Sequence, residues 1–312
     1  MRILRQLGAL SASSVLLGAL GCTAAVADPT PDGGPSVTTQ ALVRMDRAER
    51  DGKPVRTNFS AKFLRVPVAA DSDDVERIVG SELDLPGVGE CMTISADAAS
   101  GAELTAFGPV ELFDVGDVTI RTPSDSIPLA ARAFPDVGDR VSGMFYTSPD
   151  AASDLPAPGK YVIQTSGSPA IARFAVESDA PPRLADVTID GHPLAEGIEL
   201  SDAAPLDVQW RAGGAKDDLV YVDITAENGF AARCSFDDRG AGTVPASLLR
   251  SGGFGEMPAV ATLAVHRVRQ GSFQVPGVDA GEVRFDVSVV AGVTLQSTQQ
   301  ASTAARRTAP VR

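Results

Sequence analysis

The stretch VRFDVSV at residues 283–289 decides the fold class, because apolar and polar residues alternate in it without a break. Successive side chains of a β-strand point to opposite faces, so a period of two predicts one buried face and one polar face. The same alternation recurs at residues 206–211 and 220–225, and turn residues separate such stretches. Because long helical patterns do not intervene, the sequence predicts an all-β protein of sandwich type, with the polar faces of its strands in water.

Composition excludes several classes of protein. The chain has 312 residues, 44% of them hydrophobic, and a formal net charge of −13. This hydrophobic content is too high for a wholly disordered protein. A general nucleic-acid binder needs clustered basic residues to neutralise phosphates, so the acidic balance predicts no nucleic-acid partner. Two His and three Cys are too few for a protein with several zinc sites.

Residues 1–21 have the features of an export signal. Arg2 and Arg5 precede an apolar stretch that is too short for a transmembrane helix. Two processing sites fit this segment. Residues 19–22 (ALGC) resemble the lipobox of bacterial lipoproteins, which predicts lipidation at Cys22 and a lipid anchor in the membrane of the cell envelope. Residues 25–27 (AVA) instead fit ordinary secretion, with cleavage before Asp28 and a soluble secreted or periplasmic product.

The remaining cysteines form an even pair if Cys22 carries lipid. In an oxidising compartment, Cys91 and Cys234 are therefore candidates for a disulfide across a sequence separation of 143 residues. Two separate buried thiols are the alternative, since sequence alone does not show whether the two residues lie within bridging distance.

Composition also suggests how the exported chain is organised. Residues 22–56 are first rich in Pro, Gly, Ser and Thr and then in mixed charge, which predicts a flexible linker. The extended, Pro-containing joint at residues 180–183 separates two parts of sandwich size, residues 57–179 and 184–295. The polar residues 296–312 are predicted to be a disordered tail.

The chain resembles uncharacterised exported bacterial proteins and lipoproteins with tandem immunoglobulin-like β-sandwich domains. The resemblance covers roughly residues 90–295. It is carried by LDVQWRAGG (206–214), DLVYVDITA (218–226), ARCSF (232–236), TVPASLLRS (243–251), SFQVPGVDAGEVRFDVSVV (272–290), FDVGDVTI (113–120) and APGKYVIQTSGSPAI (157–171). It implies two tandem immunoglobulin-like sandwiches and transfers no catalytic residues.

No pattern of residues marks a catalytic or cofactor site. The G-x-S-x-G motif is missing from the sequence, and His192 and His266 lack metal-ligand spacing. His192 lies in DGHP, which predicts a turn, and His266 lies in an alternating strand, where it is expected to face water. Asp71, Asp73 and Asp74 are weak candidates for calcium ligands and otherwise serve the start of a short helix.

The leading hypothesis is a non-catalytic cell-envelope lipoprotein that acts as an interaction or structural module, with an unknown protein or glycan partner and no cofactor. A calcium- or carbohydrate-binding adhesin-like secreted protein is the first alternative. A hydrolase with an unrecognised acidic site is the second, because the chain has 40 acidic residues.

Overall fold

Strands dominate the computed structural model, which describes residues 37–68, 72–94, 110–134, 141–148 and 159–297. The elements are, in chain order, β1 (Val37–Arg50), β2 (Arg56–Pro67), α1 (Ser72–Ile78), β3 (Cys91–Ile94), β4 (Val110–Leu112), β5 (Val118–Arg121), β6 (Ser126–Ala133), β7 (Val141–Ser148), β8 (Lys160–Thr165), β9 (Ala175–Asp179), β10 (Thr188–Ile189), β11 (His192–Pro193), β12 (Ile198–Ser201), β13 (Leu206–Gln209), β14 (Leu219–Ala226), β15 (Ala231–Asp237), β16 (Ala241–Val244), α2 (Ala246–Leu249), β17 (Ala259–Val275) and β18 (Val278–Gln296). The predicted all-β class is confirmed.

The strands form two sheets and pack as sandwiches. The larger sheet has the order β3-β15-β14-β17-β18-β1-β2-β4-β7-β6-β5-β8-β9, and β12 also pairs with β18. The smaller sheet has the order β11-β10-β13-β16. In a first core, apolar side chains of β1, β2 and β18 pack with those of β5, β6 and β8. In a second core, those of β14, β15 and β17 pack with β13 and β16 of the smaller sheet. The predicted sandwich type is therefore confirmed.

The hairpin of β17 and β18 runs through both cores. Its strands pair from Ala259 with Leu295 to Val275 with Val278. On β18, Phe285 lies in the first core and Val293 lies in the second. The joint predicted at residues 180–183 therefore does not separate the strands of the two cores, because the hairpin follows it in sequence and still builds both. Long strands are continuous in sequence, and periodicity does not reveal that two cores share one strand.

The predicted linker at residues 22–56 does not extend over β1, and this assignment is corrected. β1 lies inside the larger sheet, parallel to β18 and antiparallel to β2. Ala41, Val43 and Met45 point into the first core, while Leu42 and Arg44 between them point to the opposite face, where Leu42 is also buried. The density of charge resembled a linker in composition, but the charges alternate with buried apolar residues. Residues 22–36 lie outside the described residues.

Two arginines of β17 hold the predicted joint against the hairpin. Arg267 is fully buried, and its guanidinium donates to the carbonyl oxygens of Pro182 and Arg183 at 2.9 and 3.1 Å. Arg269 donates to the carbonyl oxygens of Asp179 and Ala180, both at 3.2 Å. The joint is thus a fixed part of the fold, since buried backbone carbonyls need hydrogen-bond donors.

Candidate functional site

The face of the larger sheet opposite the cores carries a covered layer of polar side chains. On β18, Arg284, Asp286 and Ser288 alternate with core residues and are only 4, 8 and 5% exposed. The sequence predicted the alternation correctly, but its expectation that these polar residues face water is wrong. Another segment of the chain packs over these side chains, and the periodicity of a single strand does not show which segments pack against it.

The cover is a segment of residues 79–90, which we call the strap. It leaves the end of α1 and runs across the polar layer to β3. Arg284 donates to the Ser81 carbonyl oxygen at 2.7 Å, and Arg233 donates to the Asp84 carbonyl oxygen at 2.7 Å. At its far end the strap pairs with β15, where the Gly89 amide donates to the Ser235 carbonyl oxygen at 2.7 Å. The strap therefore uses arginines of the sheet as donors for its own backbone.

Lys62 supports the near end of the strap. Its buried ammonium group donates to the carbonyl oxygen of Val79 and to the hydroxyl of Ser81. Burial, with the neighbouring charge of Arg44, lowers the pKa of Lys62 to about 8. The charged form of Lys62 is therefore less favourable in the folded state than in the unfolded chain.

Between the strap and the sheet lies a cleft of about 450 Å³. Its floor follows one row of paired residues across four strands, in which His266 of β17 pairs with Ser288, Ser288 with Ala48, and Ala48 with Arg56 of β2. The two central side chains are small, so the row has large residues at its ends and space between them. Leu83 of the strap also lines the cleft.

One end of the cleft is a hydrogen-bonded cluster of Tyr221, His266 and Asp286. Nδ1 of His266 lies 2.8 Å from one carboxylate oxygen of Asp286, and the hydroxyl of Tyr221 donates to the other. The rings of Tyr221 and His266 stack at 4.2 Å with an angle of 9° between their planes. Among the described residues, none hydrogen-bonds Nε2 of His266, so this atom is available to a ligand.

The ionisation states in this cluster follow from its contacts. Burial alone would raise the pKa of Asp286, but the charge and hydrogen bond of His266, with the hydroxyl of Tyr221, hold the pKa below its ordinary value. Burial, followed by the charge of Asp286, raises the pKa of Tyr221, so its hydroxyl remains a donor. His266, expected in water, instead has a side chain that is 18% exposed.

The other carboxylates that line the cleft are held in ion pairs. Asp223 accepts two hydrogen bonds from Arg233, at 2.8 and 2.7 Å, and the same guanidinium lies 4.9 Å from the centre of the Tyr221 ring. Asp46 accepts a hydrogen bond from Arg44 at 2.9 Å. Glu82 of the strap accepts two hydrogen bonds from Arg77, at 3.1 and 3.0 Å. Each of these carboxylates therefore has an arginine partner within the protein.

Two arginines of the cleft have donors without an acceptor. Arg56 is exposed at the rim, and no ion pair or hydrogen bond joins its guanidinium to another described residue. Nε of Arg44 is buried and also lacks a partner in the described part of the chain. Sequence reasoning did not identify this site, because its residues come from six strands and the strap.

Of the residues singled out from sequence, Cys91 and Cys234 come together. They are a directly opposed pair on β3 and β15 and form a disulfide with an S–S distance of 2.04 Å. The disulfide lies at the end of the strap and joins this end covalently to the larger sheet.

The other predicted site residues contribute little to the described structure. Cys22 and Asp71 lie outside the described residues, and the side chains of Asp73 and Asp74 in α1 are also outside them. Within the described ranges, no group of three or more His, Cys, Asp or Glu side chains is arranged to hold a metal ion. His192 lies exposed on β11, apart from His266.

None of the helices described is long and apolar enough to cross a membrane.

Comparisons with known proteins identify no family for this chain. No protein-family model matches it, and no curated protein matches it. Among solved structures, a two-domain fibronectin type-III segment from chicken tenascin is 12% identical with a TM-score of 0.21, and the match covers 79% of this chain and 95% of that one. The Fcho1 mu homology domain of Danio rerio with a bound Eps15 peptide is 12% identical with a TM-score of 0.26, covering 82% of this chain and 97% of that one. Similarities at this level carry no conclusion about function.

Proposed function

We propose that this chain is a cell-envelope lipoprotein that acts as a non-catalytic binding module, and that the cleft under the strap is its ligand site. The observation that carries the proposal is the cleft of about 450 Å³, which has Arg56 and Nε2 of His266 open to a ligand. Its size lies within the range of small-molecule sites, roughly 300–1,000 Å³. A polar site of this kind suits a small ligand or the end of a larger one.

The ionisation and pairing of the carboxyl groups in the cleft favour a binding function over a hydrolase with an acidic catalytic site. Hydrolysis by paired carboxyl groups needs one that stays protonated near neutral pH, which requires a raised pKa. In this cleft the pKa of Asp286 is lowered, and Asp223 and Asp46 are each paired with an arginine. The acidic residues of the cleft therefore serve to hold its arginines and histidine in place.

A cleft-filling variant tests the assignment of the site. Ala48 lies on the floor of the cleft, so Ala48→Phe should block it, whereas Ala131→Phe places the same side chain at an exposed position on β6. A library of small acids, alcohols, amides and sugars is screened by ligand-observed NMR. We expect binding that is lost in Ala48→Phe and kept in Ala131→Phe. Binding that Ala48→Phe leaves intact, or no binding at all, would overturn the assignment.

The membrane anchor is a separate part of the proposal and rests on the lipobox-like residues 19–22. Mass spectrometry of the N-terminal peptide from the natively expressed protein is expected to find Cys22 as the first residue, carrying lipid. The Cys22→Ser variant should lose the lipid and leave the membrane fraction. An unmodified N-terminus at Asp28 would refute the anchor and leave a secreted binding module.

A further inference from the structure

We propose that the cleft binds a small ligand through an oxyanion, a carboxylate or a phosphate, held by Arg56 at one end of the row and hydrogen-bonded to Nε2 of His266 at the other. This inference rests on the proposed function for the location of the site and adds the chemical class of the ligand.

The hydrogen-bonding capacity left over in the cleft determines this class. Each carboxylate that lines the cleft has a partner within the protein, and these carboxylates belong to Asp46, Glu82, Asp223 and Asp286. The exposed guanidinium of Arg56 has no partner within the described part of the chain, whereas the unpaired Nε of Arg44 is buried. A ligand that satisfies the donors of Arg56 must supply acceptor oxygens. Arginine binds carboxylate and phosphate oxygens with two parallel hydrogen bonds, which gives these anions an advantage over neutral acceptors.

The spacing of the row sets the shape of the ligand. His266 and Arg56 are separated by three strand spacings, which places their backbones roughly 14 Å apart. The side chains between them, Ser288 and Ala48, are small, which leaves space for a molecule of about one ring's length. Nδ1 of His266 is already hydrogen-bonded to Asp286, so Nε2 is the ring nitrogen left for a ligand. A hydroxyl group at the far end of the ligand can hydrogen-bond to it.

The surrounding charge makes the cleft distinct from the rest of the molecule. The chain as a whole has a net charge of −13, which repels anions. The lining of the cleft has four arginines and four carboxylates, so its formal charge is balanced, and Arg56 has no ion-pair partner among the described residues. An anion is therefore repelled less in the cleft than by the acidic molecule as a whole.

The test uses isothermal titration of the folded protein with three matched probes, 4-hydroxybenzoate, 4-hydroxyphenyl phosphate and the neutral 4-hydroxybenzamide. We expect at least one of the two anions to bind about tenfold or more tightly than the amide, and the Arg56→Gln variant to lose about tenfold or more of that affinity. Which anion binds more tightly distinguishes carboxylate from phosphate. Arg121→Gln, which removes an exposed arginine of β5 away from the cleft, should leave the affinity unchanged.

The far end of the ligand is tested with His266→Asn. Asparagine keeps a donor for Asp286 near the place of Nδ1 and removes Nε2, so this variant should weaken binding of 4-hydroxybenzoate more than binding of benzoate.

Three results would overturn the oxyanion proposal. These are equal affinity for acid and amide, no effect of Arg56→Gln, and no binding of either anion up to about 10 mM. Equal losses for 4-hydroxybenzoate and benzoate in His266→Asn would overturn the contact at Nε2. A different result overturns the proposed function itself, namely that Ala48→Phe leaves the binding of every library member intact.

Discussion

Replacing Arg267 by methionine is expected to cost a large part of the stability, because Arg267 joins the two cores at the predicted joint. Its side chain is fully buried on β17. Besides the joint carbonyls, it donates to the carbonyl oxygen of Arg211 at 2.6 Å, and its Nε lies 2.8 Å from the carboxylate of Asp238. Asp238 also accepts from the indole of Trp210 at 2.7 Å and from the Gly213 amide at 2.8 Å.

The expected loss follows from the charge that remains. Methionine fills much of the space but leaves the Asp238 carboxylate buried with two neutral donors. Removing one partner of a buried ion pair typically costs about 3–5 kcal/mol. For a folded unit of this size, this corresponds to a fall in Tm of roughly 6–20 °C. The second change Asp238→Asn removes the orphaned charge, so the double variant should recover at least about 1 kcal/mol.

Urea unfolding followed by circular dichroism measures both effects. Arg239→Gln is the matched control, because Arg239 pairs with Asp237 on the surface and its side chain is 84% exposed. This control should change the free energy of unfolding by no more than about 0.5 kcal/mol. The reasoning is refuted when Arg267→Met costs less than about 1 kcal/mol, or when Asp238→Asn adds to the loss.

Three further perturbations test the strap and the polar layer. Replacing Cys91 and Cys234 by serine should lower the free energy of unfolding by about 4–5 kcal/mol, since the disulfide closes a separation of 143 residues, and an unchanged urea midpoint would contradict this. Because the folded pKa of Lys62 is about 8 and the ordinary value is 10.5, the unfolded chain binds more protons between these values. The stability of the protein relative to its Lys62→Met variant should therefore rise from pH 8 to 10.5, and a flat or falling difference in Tm counts against the buried charge. Tyr221→Phe removes the hydroxyl that donates to Asp286 and should cost about 1–3 kcal/mol in urea unfolding, whereas a loss below about 0.5 kcal/mol would show that this bond is not important.

The period-two alternation of apolar and polar residues correctly predicted which face of a strand is buried, because this pattern depends only on the geometry of that strand. The alternation in residues 283–289 places Val283, Phe285 and Val287 in a core, and the same parity places Trp210 in a core beside Leu206 and Val208. Period two follows from the geometry of a single strand, so neighbours distant in sequence do not affect it.

Errors arose where distant segments meet. The charges that dominate the composition of β1 predict a linker, yet β1 lies between β18 and β2, and its residues 41–43, 45 and 47 are buried. His266 was expected in water, since an alternating strand has one polar face and the sequence does not show what lies over it. The strands that pair with a given strand, and the segments that pack over its polar face, are decided by the tertiary structure.

The sequence by itself therefore determined the all-β class, the faces of most strands and the pair of cysteines able to form a disulfide. The tertiary structure alone decided that the β17–β18 hairpin serves two cores, that the strap closes over the opposite face, and that Arg56 and His266 face one cleft. The physical reason is that alternation depends on a backbone geometry repeated at every residue. A site assembled from six strands and a crossing segment depends on register and strand order, which single-strand patterns do not encode.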